Sequence, residues 1–141
     1  IVRRLVGSEM CIRDRIESMI NNAILELMAS LRRDPQFGLV LTIASGGVMT
    51  EILQDASTVL VPADDISLLA ALDSLRIAPL FDGFRGGQAA SRTAVLDQIK
   101  GLVSLMKAAP DIKEIEINPI MVGKDYACCA DALINISSTE A

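Results

Sequence analysis

The chain has 141 residues, is 51% hydrophobic, and carries 18 Asp and Glu against 13 Lys and Arg, for a net charge of −5. That length supports one compact domain burying about 70% of its unfolded surface. The acidic balance and the 3% aromatic content offer neither a basic track for a phosphate backbone nor a stacking platform for bases, which argues against a nucleic-acid partner.

Every apolar stretch is broken by Arg, Asp or Gln before reaching the roughly 18 residues a membrane helix needs, so no membrane partner is expected. Cys11, Cys128 and Cys129 form no disulfide framework and no zinc spacing, which fits a reducing, cytoplasmic setting. Histidine is absent, so this chain lacks the commonest general base and any phosphohistidine of its own.

In chain order, residues 1–15 resemble a translated sequencing adapter and are set aside from fold reasoning; a short basic amphipathic helix is the alternative. Residues 16–136 form the domain, and 137–141 read as a loose polar tail. Between Ile16 and Arg33 the apolar residues fall both in runs and in alternation, and the segment reads as two short strands around Asn21 and Asn22. Asp34-Pro-Gln-Phe-Gly38 is a turn, and Leu39 to Ala44 a buried strand. Gly46-Gly47 followed by the strand-like run Val48 to Leu53 reads as a hairpin, although close approach of backbone to a phosphate would also require glycine.

Ser57 to Val61 is a strand ended by Pro62. Either Asp64 or Asp65 caps a helix bearing Leu68, Leu69, Leu72 and Leu75 on one face, which ends before Pro79. Leu80 to Gly87 is a glycine-rich loop whose Arg85 could meet an anion or simply form a surface ion pair. Ser91 caps a longer helix with Val95, Leu96, Ile99, Leu102, Val103 and Met106 at helical spacing. Asp111 to Val122 and Tyr126 to Ile136 are closing strands around Gly123-Lys124-Asp125. Strands interleaved with helices give an α+β fold, a mostly antiparallel sheet with helices packed on one face.

In Ile115-Glu116-Ile117-Asn118-Pro119 the isoleucines alternate with polar residues, so Glu116 and Asn118 share the face away from the core. A hairpin centred between Lys124 and Asp125 puts Asn118 opposite Asp131, with Cβ atoms roughly 5 Å apart. A carboxamide oxygen and a carboxylate converging there suit Mg²⁺, which takes oxygen ligands and completes its shell with water and nucleotide phosphates. Read alone, these residues favour the plainer reading, in which Asn118 introduces a turn before Pro119 and Asp131 is an exposed strand residue. Cys128 and Cys129 read as small strand residues with no motif arguing for reactivity.

An ordered set of matches shifts that balance toward the metal pair. Glu26-Leu-Met, Arg33-Asp-Pro-Gln-Phe-Gly38, Ile43-Ala-Ser-Gly-Gly-Val with Glu51, Ala78-Pro-Leu-Phe-Asp-Gly-Phe-Arg-Gly86, Glu116-Ile-Asn-Pro119 and Ala130-Asp-Ala132 together resemble the carboxyl-terminal part of the ATP-grasp domain of ADP-forming acetate-CoA ligases. The succinyl-CoA synthetase β subunit is a more distant likeness. The resemblance implies that Asn118 and Asp131 hold Mg²⁺ against ATP or ADP. It further implies that Glu116 orients a visiting phosphohistidine loop, that Glu17 lies on the hinge strand beside adenine, and that Glu26 lies near the nucleotide sugar.

In that family a preceding lobe carries a phosphate-contacting lysine and a flexible glycine-rich loop, and a CoA-binding domain and a histidine-bearing ligase domain complete the enzyme. The 141 residues contain none of these, so the resemblance implies a piece that supplies part of a Mg-ATP site and is inactive by itself. The parent would convert acyl-CoA, ADP and phosphate to acid, CoA and ATP. A non-catalytic nucleotide-binding or regulatory module, and the ATP-grasp-like part of a protein lysine acetyltransferase, are the alternatives.

Overall fold

The computed structural model describes residues 18–47 and 50–137, apart from the side chains of Glu51 and Ile52. Alternation organises the first strand, β1 (Leu25–Asp34), whose Leu25, Leu27, Ala29 and Leu31 are buried while the residues between them face the other way. β1 is one strand starting after the asparagines, which corrects the expectation of two short strands around Asn21 and Asn22. Residues 18–23 form no strand, and the ladder takes hold at Ile24, whose N–H donates to the Val122 carbonyl at 2.7 Å. Long-range pairing, invisible to local pattern, sets that boundary.

The turn after β1 follows its residues. The Asp34 carboxylate accepts from the N–H groups of Gln36 and Phe37 at 2.9 and 3.0 Å, and Gly38 supplies the left-handed φ of +78°. β2 (Gly38–Ser45) then pairs antiparallel with β1. The expected hairpin at Gly46-Gly47 is not formed. Thr50–Leu53 is a helical turn, α1, rather than a strand, residues 48 and 49 lie outside the described residues, and β2 instead pairs with β3 (Ala56–Val61). Buried Ser45 closes this longer connection. Its hydroxyl and N–H reach the carboxylate and carbonyl of Asp55 at 3.1 and 3.0 Å, and the same carboxylate accepts from the Arg76 N–H at 2.7 Å.

Of the two candidate caps for α2 (Asp65–Asp73), Asp64 is the one used, accepting from the Ser67 N–H at 2.8 Å. Two 3₁₀ turns, Ala78–Asp82 and Phe84–Gly86, occupy the glycine-rich segment. Ser91 caps α3 (Arg92–Ala108), which buries Val95, Leu96, Ile99 and Met106. The far end of α3 is capped from β1. Arg33 donates to the carbonyls of Met106, Ala109 and Ile112, satisfying groups that a helix terminus leaves open.

β4 (Ile112–Val122) inserts beside β1 and completes the order β3-β2-β1-β4. The expected final strand from Tyr126 to Ile136 is two strands, β5 (Ala127–Cys129) and β6 (Ala132–Ile136), both antiparallel to β4 along its outer edge. Ala130 and Asp131 interrupt them. Both longer helices pack on one face of the six-stranded sheet, burying Leu68, Leu72, Val95 and Ile99 against Leu27, Leu31, Leu41, Ile115 and Ile120. Ser137, assigned by sequence to a loose tail, is tied to the Asp111 carbonyl through its N–H at 2.8 Å. Among the described residues no helix is long and apolar enough to cross a membrane.

Replacing Arg33 with Met keeps most of the apolar stem and removes the three-carbonyl cap, and is expected to cost about 1–3 kcal/mol in urea unfolding. Arg32→Ala, at an exposed neighbour, should stay within about 0.5 kcal/mol.

Hydrogen bonds from Ser67 hold the Asp64 carboxyl below its ordinary value, and the N–H groups of Gln36 and Phe37 do the same for Asp34. A depressed folded-state pKa means stability present above the unfolded value and lost as pH falls through the folded one. The urea midpoint should therefore drop on acidification from pH 6 to pH 3, and Asp64→Asn, which keeps a capping oxygen but does not titrate, should make that drop smaller.

Candidate functional site

From Ile115 onward the inward residues of β4 are Ile115 and Ile117, then Ile120 and Val122, so over this stretch the alternation changes phase once. Register locates the change. Leu27 faces Ile120 and Ala29 faces Ile117, which leaves both Asn118 and Pro119 opposite Met28. This is a β-bulge, and Pro119, having no N–H to give a ladder, suits it. Glu116 and Asn118 thereby project from the face opposite the helices, two residues apart.

On its other side β4 keeps one register through the interruption. Ile120 faces Cys129 before it and Ile117 faces Ala132 after it. Between these pairs the Asn118 N–H donates to the Asp131 carbonyl at 3.2 Å, and the Ala130 N–H to the Pro119 carbonyl at 3.0 Å. Asn118 and Asp131 therefore lie directly across from each other. The Asn118 Oδ1 accepts from the Gly47 N–H at 2.9 Å, and the exposed Asp131 accepts through Oδ1 from the Ala132 N–H at 2.8 Å. A carbonyl oxygen accepts two hydrogen bonds and a carboxylate about four, so both side chains keep acceptor capacity for a further ligand.

Gly46-Gly47 joins this group. The Gly46 N–H donates to the Glu26 carbonyl at 2.8 Å, and a Cβ at Gly46 would collide with the Leu27 backbone carbonyl. At Gly47, where φ is +63°, a Cβ would meet the Glu26 carboxylate. Glycine is needed here for contact with β1, and the peptide so placed brings the Glu26 carboxylate and the Asn118 carboxamide to one spot. The Thr50 hydroxyl steadies it, donating to the carbonyls of Ser45 and Gly47 at 2.9 and 2.8 Å.

Glu116 sits beside this group, facing Ser30 on β1 and Leu133 on β6. Glu17 lies outside the described residues. Beyond Glu26, a cavity of about 560 Å³ is bounded by Ser18, Met19 and Ile20, by Met121, and by Cys128, Cys129 and Ala130. It is uncharged and mostly apolar, and it abuts Asp131 through Ala130. Sequence reasoning missed the cavity and the Gly47 donor; the glycine pair was the available signal, and it was read as a turn. Arg85, at φ +52°, lies over the Phe84 ring and apart from the group.

Comparison with known proteins places the chain. A family model described as an ATP-grasp domain matches residues 10–136. The chain is 35% identical over 107 residues to the β subunit of ADP-forming acetate-CoA ligase I from Pyrococcus furiosus, covering 76% of this chain and 46% of that one. It is 28% identical over 121 residues to the ADP-forming acetate-CoA ligase of Methanocaldococcus jannaschii, covering 84% and 17%. Among solved structures, the dinucleotide-forming acetyl-coenzyme A synthetase 1 of Ca. Korarchaeum cryptofilum, in complex with coenzyme A and Mg-AMPPCP, superposes with a TM-score of 0.75 at 26% identity. That match covers 80% of this chain and 53% of the other. The chain thus spans about half the length of these relatives or less.

The two glycines should differ in tolerance. Gly46→Ala, which meets backbone, is expected to lose on the order of 3 kcal/mol or more in chemical unfolding. Gly47→Ala meets the movable end of Glu26 and a left-handed φ costing about 1–2 kcal/mol, and should lose less.

Proposed function

This chain belongs to the ATP-grasp domain family, and we propose that, as part of a longer protein, it supplies one wall of the Mg-nucleotide site of an ADP-forming acyl-CoA ligase. One observation carries the reading. Asn118 and Asp131 face each other across the β4 bulge with unused acceptor oxygens, next to an uncharged cavity of about 560 Å³. Hard cations that keep several waters and share phosphate oxygens need only one or two such protein ligands. Among the described residues no cluster of three or more acidic, cysteine or histidine side chains competes for the role.

In this reading Asn118 and Asp131 hold Mg²⁺, which supplies charge neutralisation and orientation for the transferring phosphoryl group. Gly47 orients the Asn118 carboxamide by donating to Oδ1, so the oxygen is aimed before the nucleotide arrives. The apolar cavity receives the base, and Glu26, at its side, accepts from the sugar hydroxyls. Glu116, two residues from Asn118 on the same face, accepts a hydrogen bond from the phospho-carrier group and orients it toward the nucleotide. That carrier is a histidine from another part of the enzyme, since this chain has none. The overall reaction is conversion of acyl-CoA, ADP and phosphate to the free acid, CoA and ATP, passing through an acyl phosphate and the phosphohistidine.

In the longer protein, the combined Asn118→Ala and Asp131→Ala variant should lower Mg²⁺-dependent ATP formation by about 100-fold or more. Its unfolding midpoint should stay near that of the parent, because Asp131 is exposed and Asn118 half-buried. Unchanged turnover at saturating Mg²⁺ would remove the assignment.

A further inference from the structure

Met19, Met121, Cys128 and Cys129 are among the residues lining the cavity of about 560 Å³, and of these Cys129 turns its thiol to the helix face, toward Gln98. Cys128 and Met121 are direct cross-strand partners, so their side chains leave the sheet on the same side from Cβ atoms about 5 Å apart. A metal–thiolate bond is about 2.3 Å, and two sulfurs on one ion lie about 4 Å apart, a spacing the flexible thioether of Met121 can reach from that start. Met19 approaches from the segment that crosses the same cavity, and its side chain is largely free to adjust, being 82% exposed.

The two adjacent cysteines are not equivalent. Cys128 is exposed, whereas the Cys129 thiol is half-buried and donates to the Gln98 Oε1 at 3.4 Å. Burial first, and then the neighbouring Cys128, push the Cys129 thiol above its ordinary value. Within the strand the two thiols leave opposite faces of the sheet, Cys128 beside Met121 and Cys129 toward Gln98, so they do not face one another for a disulfide. Cys128 therefore presents its thiol to a cavity whose other sulfur donors on that face are the thioethers of Met121 and Met19.

We propose that this cavity is a site for a soft, thiophilic metal ion of the Cu(I) type, held by the Cys128 thiolate and the thioethers of Met121 and Met19. The donor set selects the ion. Thiolate with thioether favours Cu(I), whereas zinc sites are built from thiolate, imidazole and carboxylate; no carboxylate lines the cavity and the chain has no histidine. Binding forms a metal–sulfur bond at Cys128 and releases the thiol proton to solvent, with no change in the oxidation state of the metal. The site stands on the cavity lining and is independent of the ligase reading. Where that reading also holds, the ion occupies the space of the base and opposes nucleotide entry.

The test is anaerobic Cu(I) titration of the 141-residue chain against the chromophoric chelator bathocuproine disulfonate, in a Cys11→Ser background that removes the other thiol. One Cu(I) per chain is expected. Cys128→Ser should weaken binding at least tenfold and Met121→Leu measurably, while Cys129→Ser leaves it intact; circular dichroism confirms that each variant is folded. The proposal fails if Cys128→Ser binds as the parent does, if Cys129→Ser is as damaging, or if Met121→Leu has no effect, which would reduce the site to a simple thiol.

Discussion

The sheet is organised around the bulge at Asn118 and Pro119. β4 is bonded on both sides, to β1 and to β5 and β6, and a bulge in such a strand is felt by each neighbour. On the β1 side it shifts register by one residue; on the other it leaves the register whole and coincides with the break between β5 and β6. The extra residue lets isoleucines point into the core before and after it. It also leaves the Asn118 carboxamide on the open face with its backbone bonded to Asp131. Core packing and site geometry are thus set by one local irregularity, which is a common place for bulges to act.

Around that point the supports form a continuous chain of contacts. Gly47 donates to Asn118, Thr50 holds Gly47 and Ser45, Ser45 binds Asp55, and Asp55 receives the Arg76 N–H beyond the end of α2. The connection between β2 and β3 is consequently pinned from the strand, the helix and the site at once. A Gly-Gly hairpin would have met the needs of the two strands alone. The longer connection also brings a backbone donor and the Glu26 carboxylate to the same place.

What could be read from the residues follows from how local each feature is. The closing turn at Gly123-Lys124-Asp125 is a short-range signal, and centring the hairpin there placed Asn118 opposite Asp131, the arrangement their backbone hydrogen bond now shows. Capping residues such as Ser91 act over three positions and were equally legible. By contrast, the start of β1 depends on partners about a hundred residues away in β4, and no window around Asn21 contains that information. Gly46-Gly47 misled for a related reason. A glycine required because another strand passes close looks the same in sequence as one required by a turn. The cavity was illegible because its walls come from three separated segments, each of which reads as ordinary apolar chain.

The economy of the proposed metal site has a thermodynamic consequence. One carboxylate and one carboxamide, the latter already sharing its oxygen with Gly47, provide little charge to offset the dehydration of Mg²⁺, which gives up its waters reluctantly. Phosphate oxygens must supply the rest. At the proposed site metal and nucleotide would therefore bind as a coupled pair, each raising the affinity for the other by the same factor, as linkage requires. A fuller acidic cage would hold the ion without nucleotide and lose that coupling. The sparse donor set at Asn118 and Asp131 suits a wall that responds to Mg-nucleotide as one ligand and stays open in its absence.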